Sequence, residues 1–519
     1  MQAARDWPSG EARHMTHLAA GAAPPAYSVS YKRVVLAILV SAYTLNFIDR
    51  TIIATIGQAI KVDLKITDAQ LGLLGGLYFA LLYTVLGIPI ARLAERFSRT
   101  NIIALAILVW SGFTALCGTA GNFLTLSAFR FGVGVGEAGL SPAAHSLISD
   151  YFPPGKRASA LAVYSFGIPL GTMLGAVTGG YLAQTFSWRV AFMVVGLPGV
   201  LIAIAVKLIL REPPRGHADK LAGPPRLVED VVPDEPPVPA PTLASELKEI
   251  GAVAATLFGQ WPVLNMVAGV SLVSFSSYGA IQFGAPYFIR AFGLSLAQAG
   301  ALMGLVGAFG QGIGTVAGGY ITDRLARRGA HWYALVPAIG VSLALPFAAA
   351  VYTAASWQTA ALFLIGPGLF AYVYLGPTFG VVQNMVPTHR RATATAVLFF
   401  VLNLIGLGGG PPLTGWAIDH YAAFHFAHPD QGGIWAAIAG FFEPGLTPFK
   451  TVCPGGMAPT GAPAETAQAC KAALVLATRQ GVLCAYAVAL WGALHYFAAA
   501  PSLGKAMARA RAARGEKDQ

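Results

Sequence analysis

Charge is scarce in this chain. Asp, Glu, Lys and Arg make up 11% of its 519 residues, against about 25% in an ordinary soluble domain. Hydrophobic residues make up 55% and the mean hydropathy is +0.60. These values exclude a soluble globular protein and indicate one that crosses a membrane many times. Phosphate-binding loops are absent, so ATP-driven transport has no support. No nucleophile lies beside a base in the sequence, which leaves an intramembrane enzyme unsupported. His145, His331, His389 and His420 are scattered and form no metal or catalytic constellation. No cofactor and no metal are therefore expected. A signal-peptide cleavage pattern is also lacking, so the first apolar run is expected to be a retained span.

Cysteine is sparse as well, with four residues. Cys117 and Cys484 fall within apolar runs and read as packing thiols. Cys453 and Cys470 flank Pro454 to Ala469 in a long loop before the last span, which is expected to lie outside, where disulfides persist, and they are expected to be bonded; two thiols without nearby His cannot complete a zinc site. Their loop is expected to lie outside the membrane bundle, so transport should tolerate loss of the bridge.

Twelve apolar stretches are long enough to span, at about 20 residues each. They lie near 34–60, 69–93, 101–120, 123–149, 157–185, 188–210, 262–290, 294–320, 331–352, 357–385, 391–418 and 474–499. The formal net charge of +11 is arranged by side and does not suggest nucleic acid. Of 34 Lys and Arg, 25 fall at the N-terminus, in the loops after even-numbered spans and at the C-terminus; Lys61, Lys65, Arg189, Arg290, Lys450 and Lys471 fall on the other side. The positive-inside rule then places both termini in the cytoplasm.

The organisation read from these runs is a cytoplasmic tail at 1–32, a six-helix bundle at 33–210, a linker at 211–257, a second bundle at 258–500 and a basic tail at 501–519. The second bundle includes an extracytoplasmic loop at 424–473. The linker carries nine prolines between Pro213 and Pro241 and reads as partly disordered. It ends in a short amphipathic pattern, Leu243 to Leu257. The two halves repeat. Ala91-Arg-Leu-Ala-Glu95-Arg96-Phe-Ser98-Arg99 after span 2 recurs as Gly319-Tyr-Ile-Thr-Asp323-Arg324-Leu-Ala-Arg327-Arg328 after span 8. The glycines of span 5, from Gly171 to Gly180, recur in span 11 from Gly406 to Gly415. Pro142…Asp150…Arg157 recurs as Pro377…Asn384…Arg391. Parallel repeats of this kind predict a carrier with its site between the halves, near the midplane.

These markers resemble the major facilitator superfamily. The acid-Arg-x-small-Arg loops match its signature, with Ala91 and Ser98 where the family prefers Gly. The span 5 glycines resemble its antiporter motif. Within the first half, Asn46-Phe-Ile-Asp49-Arg50-Thr51, Asp68-Ala-Gln-Leu-Gly72 and Arg130-Phe-Gly-Val-Gly-Val-Gly136-Glu137-Ala138 resemble the spinster branch. That branch includes transporters of sphingosine-1-phosphate and lysophospholipids. The resemblance implies an all-α membrane protein of 12 transmembrane helices in two pseudo-symmetric six-helix bundles. It also implies a multi-pass protein of a bacterial inner membrane, acting as a monomer on a lysolipid-like substrate.

Four charges within spans 1 and 4 carry the functional expectation. An ionisable group at the bilayer centre costs about 2.5–3.5 kcal/mol on the lenient insertion scale, and such groups persist where they face a cavity or each other. Asp49 and Glu137 are the candidate proton carriers. Arg50 and Arg130 would hold an anionic headgroup and alternately pair with them, with Asn46 beside them; a static cluster joining spans 1 and 4 is the bland alternative. The second half offers Tyr278, Gln282, Tyr372, Tyr374 and Asn403 as a neutral, aromatic wall. Glu95, Arg96, Arg99, Asp150, Arg157, Asp323, Arg324 and Arg327 are candidate gating residues at the cytoplasmic ends. Together they suggest a proton-coupled secondary transporter moving an amphipathic, lysolipid-like anion by alternating access. The alternatives are a drug or organic-anion/proton antiporter and an energy-independent lipid scramblase or non-transporting sensor.

Overall fold

A computed structural model describes residues 27–218, 243–387, 390–431, 433–443 and 448–513. Among the described residues, eleven helices are long and apolar enough to cross a membrane. The fourth span completes the set of twelve: it is broken into Phe123–Glu137 and Leu140–Tyr151, each too short to cross alone. The first half comprises span 1 (Val29–Leu64), span 2 (Asp68–Gly75 and Leu77–Arg96), span 3 (Arg99–Cys117), span 4, span 5 (Pro154–Ser165 and Gly167–Thr185) and span 6 (Trp188–Ile209). The second half comprises span 7 (Trp261–Phe292), span 8 (Leu296–Leu302, a π-helical turn Met303–Gly307, then Ala308–Ala326), span 9 (Trp332–Thr353), span 10 (Trp357–Ala371 and Leu375–Asn384), span 11 (Arg391–Leu402, a π-helical turn Asn403–Leu407, then Gly408–Ala427) and span 12 (Ala464–Ala513).

The turns between spans carry their own helix starts. Ser28, Ser98, Asn122, Ser187 and Ser356 each accept a hydrogen bond from a backbone N–H in the following first turn. Thr67 and Ser295 form full capping boxes with Gln70 and Gln298, satisfying two end donors reciprocally.

Three boundaries differ from the sequence expectation. Span 12 continues as one helix to Ala513, so the described part of the basic tail extends a membrane helix. Residues 211–218 belong to the first half: the Tyr151 hydroxyl donates to the Arg211 carbonyl, and the Arg215 guanidinium donates to the carbonyls of Ala94 (2.6 Å) and Phe97 (3.2 Å). The Pro-rich stretch between these residues and the linker helix Leu243–Phe258 lies outside the described residues. Third, the loop after span 11 is built into the core. Cys453 and Cys470 form a disulfide. Both are buried in the apolar cluster that holds the first half together, with Phe449 beside them. Gly455 and Gly456, both at positive φ, lie against Lys61 at the end of span 1, where any Cβ would meet the Lys61 carbonyl or ammonium group.

The end bearing this loop is called the disulfide end, and the end bearing both chain termini the terminal end. One buried apolar cluster runs from the first half into the disulfide end of the second, through Phe283, Phe288, Ile418 and Tyr421. A separate cluster, from Val253 and Leu257 to Leu503 and Met507, belongs to the second half alone. The halves thus share a core at one end and not at the other.

Candidate functional site

Span 1 brings Asn46, Asp49 and Arg50 into the middle of the bundle, where Asn46 and Asp49 are fully enclosed. Span 4 supplies Arg130 and Glu137 from its first piece, which ends at Glu137 itself. Close approach is possible because a Cβ on Gly134 would meet the Phe79 carbonyl of span 2 at 2.8 Å, and one on Gly136 the Trp110 amide of span 3 at 2.5 Å. These glycines let neighbouring backbones touch. Arg50 Nε donates to Glu137 Oε2 at 2.7 Å, and the Glu137 side chain has no exposure. The Arg50 guanidinium also lies 5.1, 4.8 and 4.5 Å from the rings of Phe47, Phe79 and Tyr83, within cation–π range. Tyr278 of span 7 faces Arg50 from the second half.

Arg130 is placed differently. It donates to the backbone carbonyls of Leu74 (3.2 Å) and, weakly, Asp49 (3.5 Å), and lies over Phe79. Its donors pin span 4 to the break in span 2, which suits a structural duty. The Asp49 carboxylate points to Thr114 and Trp110 of span 3. Asn46 faces the Glu137 carboxylate, so Asp49, Glu137, Asn46, Thr114 and Trp110 form one buried polar layer around two carboxyl groups. Thr114 and Trp110, being neutral, gave no sequence signal.

An uncharged cavity lies between the halves, and none of Asn46, Asp49, Arg50, Arg130, Glu137, Tyr278 and Gln282 lines it. Its lining includes Thr51 and Thr55 of span 1, Ser276 and Ser277 of span 7, Gln311 of span 8, and Tyr372. Tyr372 sits where span 10 breaks. Gln282 packs against Gly75 at the break in span 2. Tyr374 hydrogen-bonds Ser274 at 3.0 Å inside the second half's own cluster, and Asn403 begins the π-helical turn of span 11. Neither lines the cavity.

At the disulfide end lies a buried ionic network that sequence reasoning did not assemble. Asp68 of span 2 binds Arg290 of span 7 at 2.6 Å and also Lys61 of span 1. Arg290 donates further to Gln58 (2.7 Å) and Thr478 (2.8 Å). Asp419 of span 11 accepts from the amides of Asp68 (2.9 Å) and Ala69 (2.8 Å). A carboxylate of one half thereby caps a helix start of the other. These residues sit at span ends, where charge is ordinary, and only Asp68 belonged to a recognised motif.

At the terminal end, Arg99 is fully buried and pairs with Asp150 and, at 2.6 Å, with Glu212. All three lie in the first half. Gly216 N donates to Asp150 at 2.9 Å, and Arg157 donates to the Ser149 carbonyl at 2.8 Å. Burial opposes ionisation of Glu212, but the Thr100 amide and the Arg99 guanidinium outweigh it and hold the carboxyl below its ordinary range. Asp323, Arg324, Arg327 and Arg96 are exposed; Asp323 and Arg327 line a hollow with Tyr333 and Arg511 of the second half. The Glu95 side chain lies outside the described residues, as does His389. Among the described residues no His, Cys, Asp and Glu cluster could hold a metal.

Residues 39–411 match the Major Facilitator Superfamily. The chain belongs to that family. It is similar to an MFS-type efflux pump of Mycolicibacterium smegmatis, 30% identical over 72% of this chain and 82% of that protein. It is also similar to the mouse sphingosine-1-phosphate transporter SPNS2, 26% identical over 81% of this chain and 75% of that one. A crystal structure of a bacterial homologue of the human lysosomal transporter Spinster, inward-facing and unoccupied, superposes with a TM-score of 0.75 at 31% identity, covering 92% of this chain and 99% of that one. This superfamily member is thus a spinster-like membrane transporter and not an enzyme.

Proposed function

We propose that this transporter couples proton movement to alternating-access transport of an amphipathic, lysolipid-like anion. The observation that carries the reading is the buried Arg50–Glu137 pair in one polar layer with Asp49, Asn46, Thr114 and Trp110, in a protein that also holds an uncharged, partly aromatic cavity between its halves. A guanidinium already partnered by one carboxylate can exchange it for a phosphate or carboxylate headgroup, since these fit its planar fork. Glu137, released from Arg50 and enclosed by protein, then takes a proton, because an unpaired buried carboxylate favours its neutral form. Asp49 is the second candidate carrier. The apolar body of the substrate fits the cavity wall formed by Ala280, Ile281, Leu345 and Leu364. The mouse relative, named as a sphingosine-1-phosphate transporter, supports that substrate class.

Charge distribution supports a cytoplasmic terminal end, and hence an inward-facing state with the disulfide end closed. In this reading the chain works as a monomer in a bacterial inner membrane, and its terminal-end charges take part in gating.

A pH gradient imposed on proteoliposomes tests the coupling. Flux of lysolipid phosphate should follow the gradient and its sign. Gradient-independent equilibration would indicate a scramblase. The second reading, a drug or organic-anion/proton antiporter, is favoured by the likeness to an efflux pump; gradient-driven flux of dyes, with none of lysolipid, would decide for it.

A further inference from the structure

The loop after span 11 contains a helix, Gly433–Phe442, that neither the transport reading nor the disulfide explains. Its sequence, Gly-Ile-Trp-Ala-Ala-Ile-Ala-Gly-Phe-Phe, holds no charged side chain. Ile438, Phe441 and Phe442 are exposed, Phe442 to 79%. Ten residues reach about 15 Å, half of the roughly 30 Å hydrocarbon core, so the helix cannot cross a membrane. An apolar face of this kind requires an occupant.

The depth of the helix identifies that occupant. Span 11 carries no ionisable side chain from Ala392 to Ile418, and its apolar run ends at Asp419-His420. His420 Nε2 donates to the Gly440 carbonyl at 2.6 Å, and Phe424 packs on Gly440. The last turn of the loop helix therefore sits level with the point where span 11 leaves the hydrocarbon. His420 stacks on Trp416 at 5.3 Å, and Trp416 and Leu413 are exposed on the surface of span 11. The loop helix thus continues a lipid-facing surface. Beyond it, His428 meets Glu443 at 3.3 Å, a polar pair on the water side of the apolar face. Interfacial helices bury an apolar face about 5–10 Å into the headgroup and acyl boundary, with aromatic residues at that level.

We infer that Gly433–Phe442 is an interfacial helix lying in the bilayer leaflet at the disulfide end, with Ile438, Phe441 and Phe442 inserted among the acyl chains. It anchors the loop whose disulfide portion covers the end of span 1.

A probe on the helix tests this in the full-length protein. Phe442→Cys and Ile438→Cys variants are labelled with NBD and reconstituted in phosphatidylcholine–phosphatidylglycerol vesicles. Leu413→Cys on span 11 serves as the lipid reference and Thr460→Cys as the water reference; unsubstituted protein controls for labelling of Cys117 and Cys484. Emission from positions 438 and 442 should be blue-shifted and quenched by shallow nitroxide lipids as at 413, with iodide quenching several-fold weaker than at 460. Iodide quenching equal to that at 460 would overturn the proposal. So would shielding from both quenchers, whether constant or varying with the protein-to-lipid ratio, since protein would then cover the helix.

Discussion

Arg50 and Arg130 lie in the same buried layer, yet only Arg50 meets a carboxylate. Arg50 binds Glu137, while Arg130 binds backbone carbonyls. Glu137→Gln should therefore leave folding largely intact and abolish proton-driven uptake in proteoliposomes. Gradient-driven flux that keeps the wild-type pH dependence would refute that role. Arg50→Ala should weaken anionic ligands by about 10–100-fold, the equivalent of roughly 1.5–3 kcal/mol for a charge-assisted hydrogen bond, and neutral ligands much less. Arg50→Lys should rescue only part of the loss, because an ammonium cannot offer the planar fork; calorimetry on paired charged and uncharged ligands reads the difference. Asp49, Arg50 and Glu137 were legible in the sequence because charge inside an apolar run is costly. Lys61, Asp68, Arg290 and Asp419 were not, since charges at span ends need no explanation until the fold brings them together. Tyr374 illustrates the converse error: a tyrosine at the expected depth can turn into its own bundle and hydrogen-bond a serine there.

At the scale of elements, the repeat is written in the helix breaks. Span 4 breaks at residues 138–139 and span 10 at 372–374, an offset of 234 for the first pair of positions. Span 2 breaks at Gly76, and span 8 carries its π-helical turn at Met303–Gly307; span 5 breaks at Phe166, and span 11 carries its π-helical turn at Asn403–Leu407. Four of these sites lie about one turn before a proline, Pro142, Pro169, Pro377 or Pro411, which cannot donate to the carbonyl four residues back. Proline alone does not identify a break, since Pro89, Pro198, Pro286 and Pro367 all lie within uninterrupted helices, and the sites in spans 2 and 8 have no proline beside them. The disulfide loop was misjudged for a related reason: its Pro, Gly and Thr composition reads as surface, whereas Cys453, Phe449 and Gly456 are buried. Cys453→Ser with Cys470→Ser should therefore lower stability by about 3 kcal/mol, the chain-entropy value for a loop of this size. It should also alter gradient-driven transport, since the loop rests on span 1. Thermal unfolding and flux in the same preparation check both. Glu212 makes a pH-dependent contribution at the opposite, terminal end. Its carboxyl is held below the ordinary range, so its contacts to Arg99 and Thr100 are complete above the unfolded value of about 4.3. They are lost as pH falls through the lower folded value. Hydrogen exchange of residues 211–218, corrected for intrinsic rates, should be flat from neutrality to about pH 5 and rise in stronger acid; Glu212→Gln should show the raised exchange at neutral pH.

Among the described residues, the ion pairs that join the halves include Asp68–Arg290 at the disulfide end, while Arg99, Asp150 and Glu212 pair within the first half. Asp68 holds Arg290 and Lys61 in a site with almost no solvent. Removing one partner of a buried ion pair costs about 3–5 kcal/mol because the remaining charge stays enclosed. That cost falls on the state in which the disulfide end is closed and lapses when the halves part and water reaches Arg290. Asp68→Asn should accordingly shift the population toward a state open at the disulfide end. A 99:1 balance needs about 5.5 kcal/mol to invert from one side to the other, so a loss near the upper bound moves most of the molecules. Asp323, exposed at the terminal end, can join the halves only when that end closes. Asp323→Asn should therefore push the balance the other way and more weakly, as surface pairs contribute about 0–1 kcal/mol. Ala285→Cys, on the buried cavity wall of span 7, reports both shifts when an impermeant maleimide is applied from the disulfide side. Its reaction should quicken with Asp68→Asn and slow with Asp323→Asn. If Asp68→Asn leaves the rate unchanged in folded protein, the network joins the halves for stability and does not act as a gate.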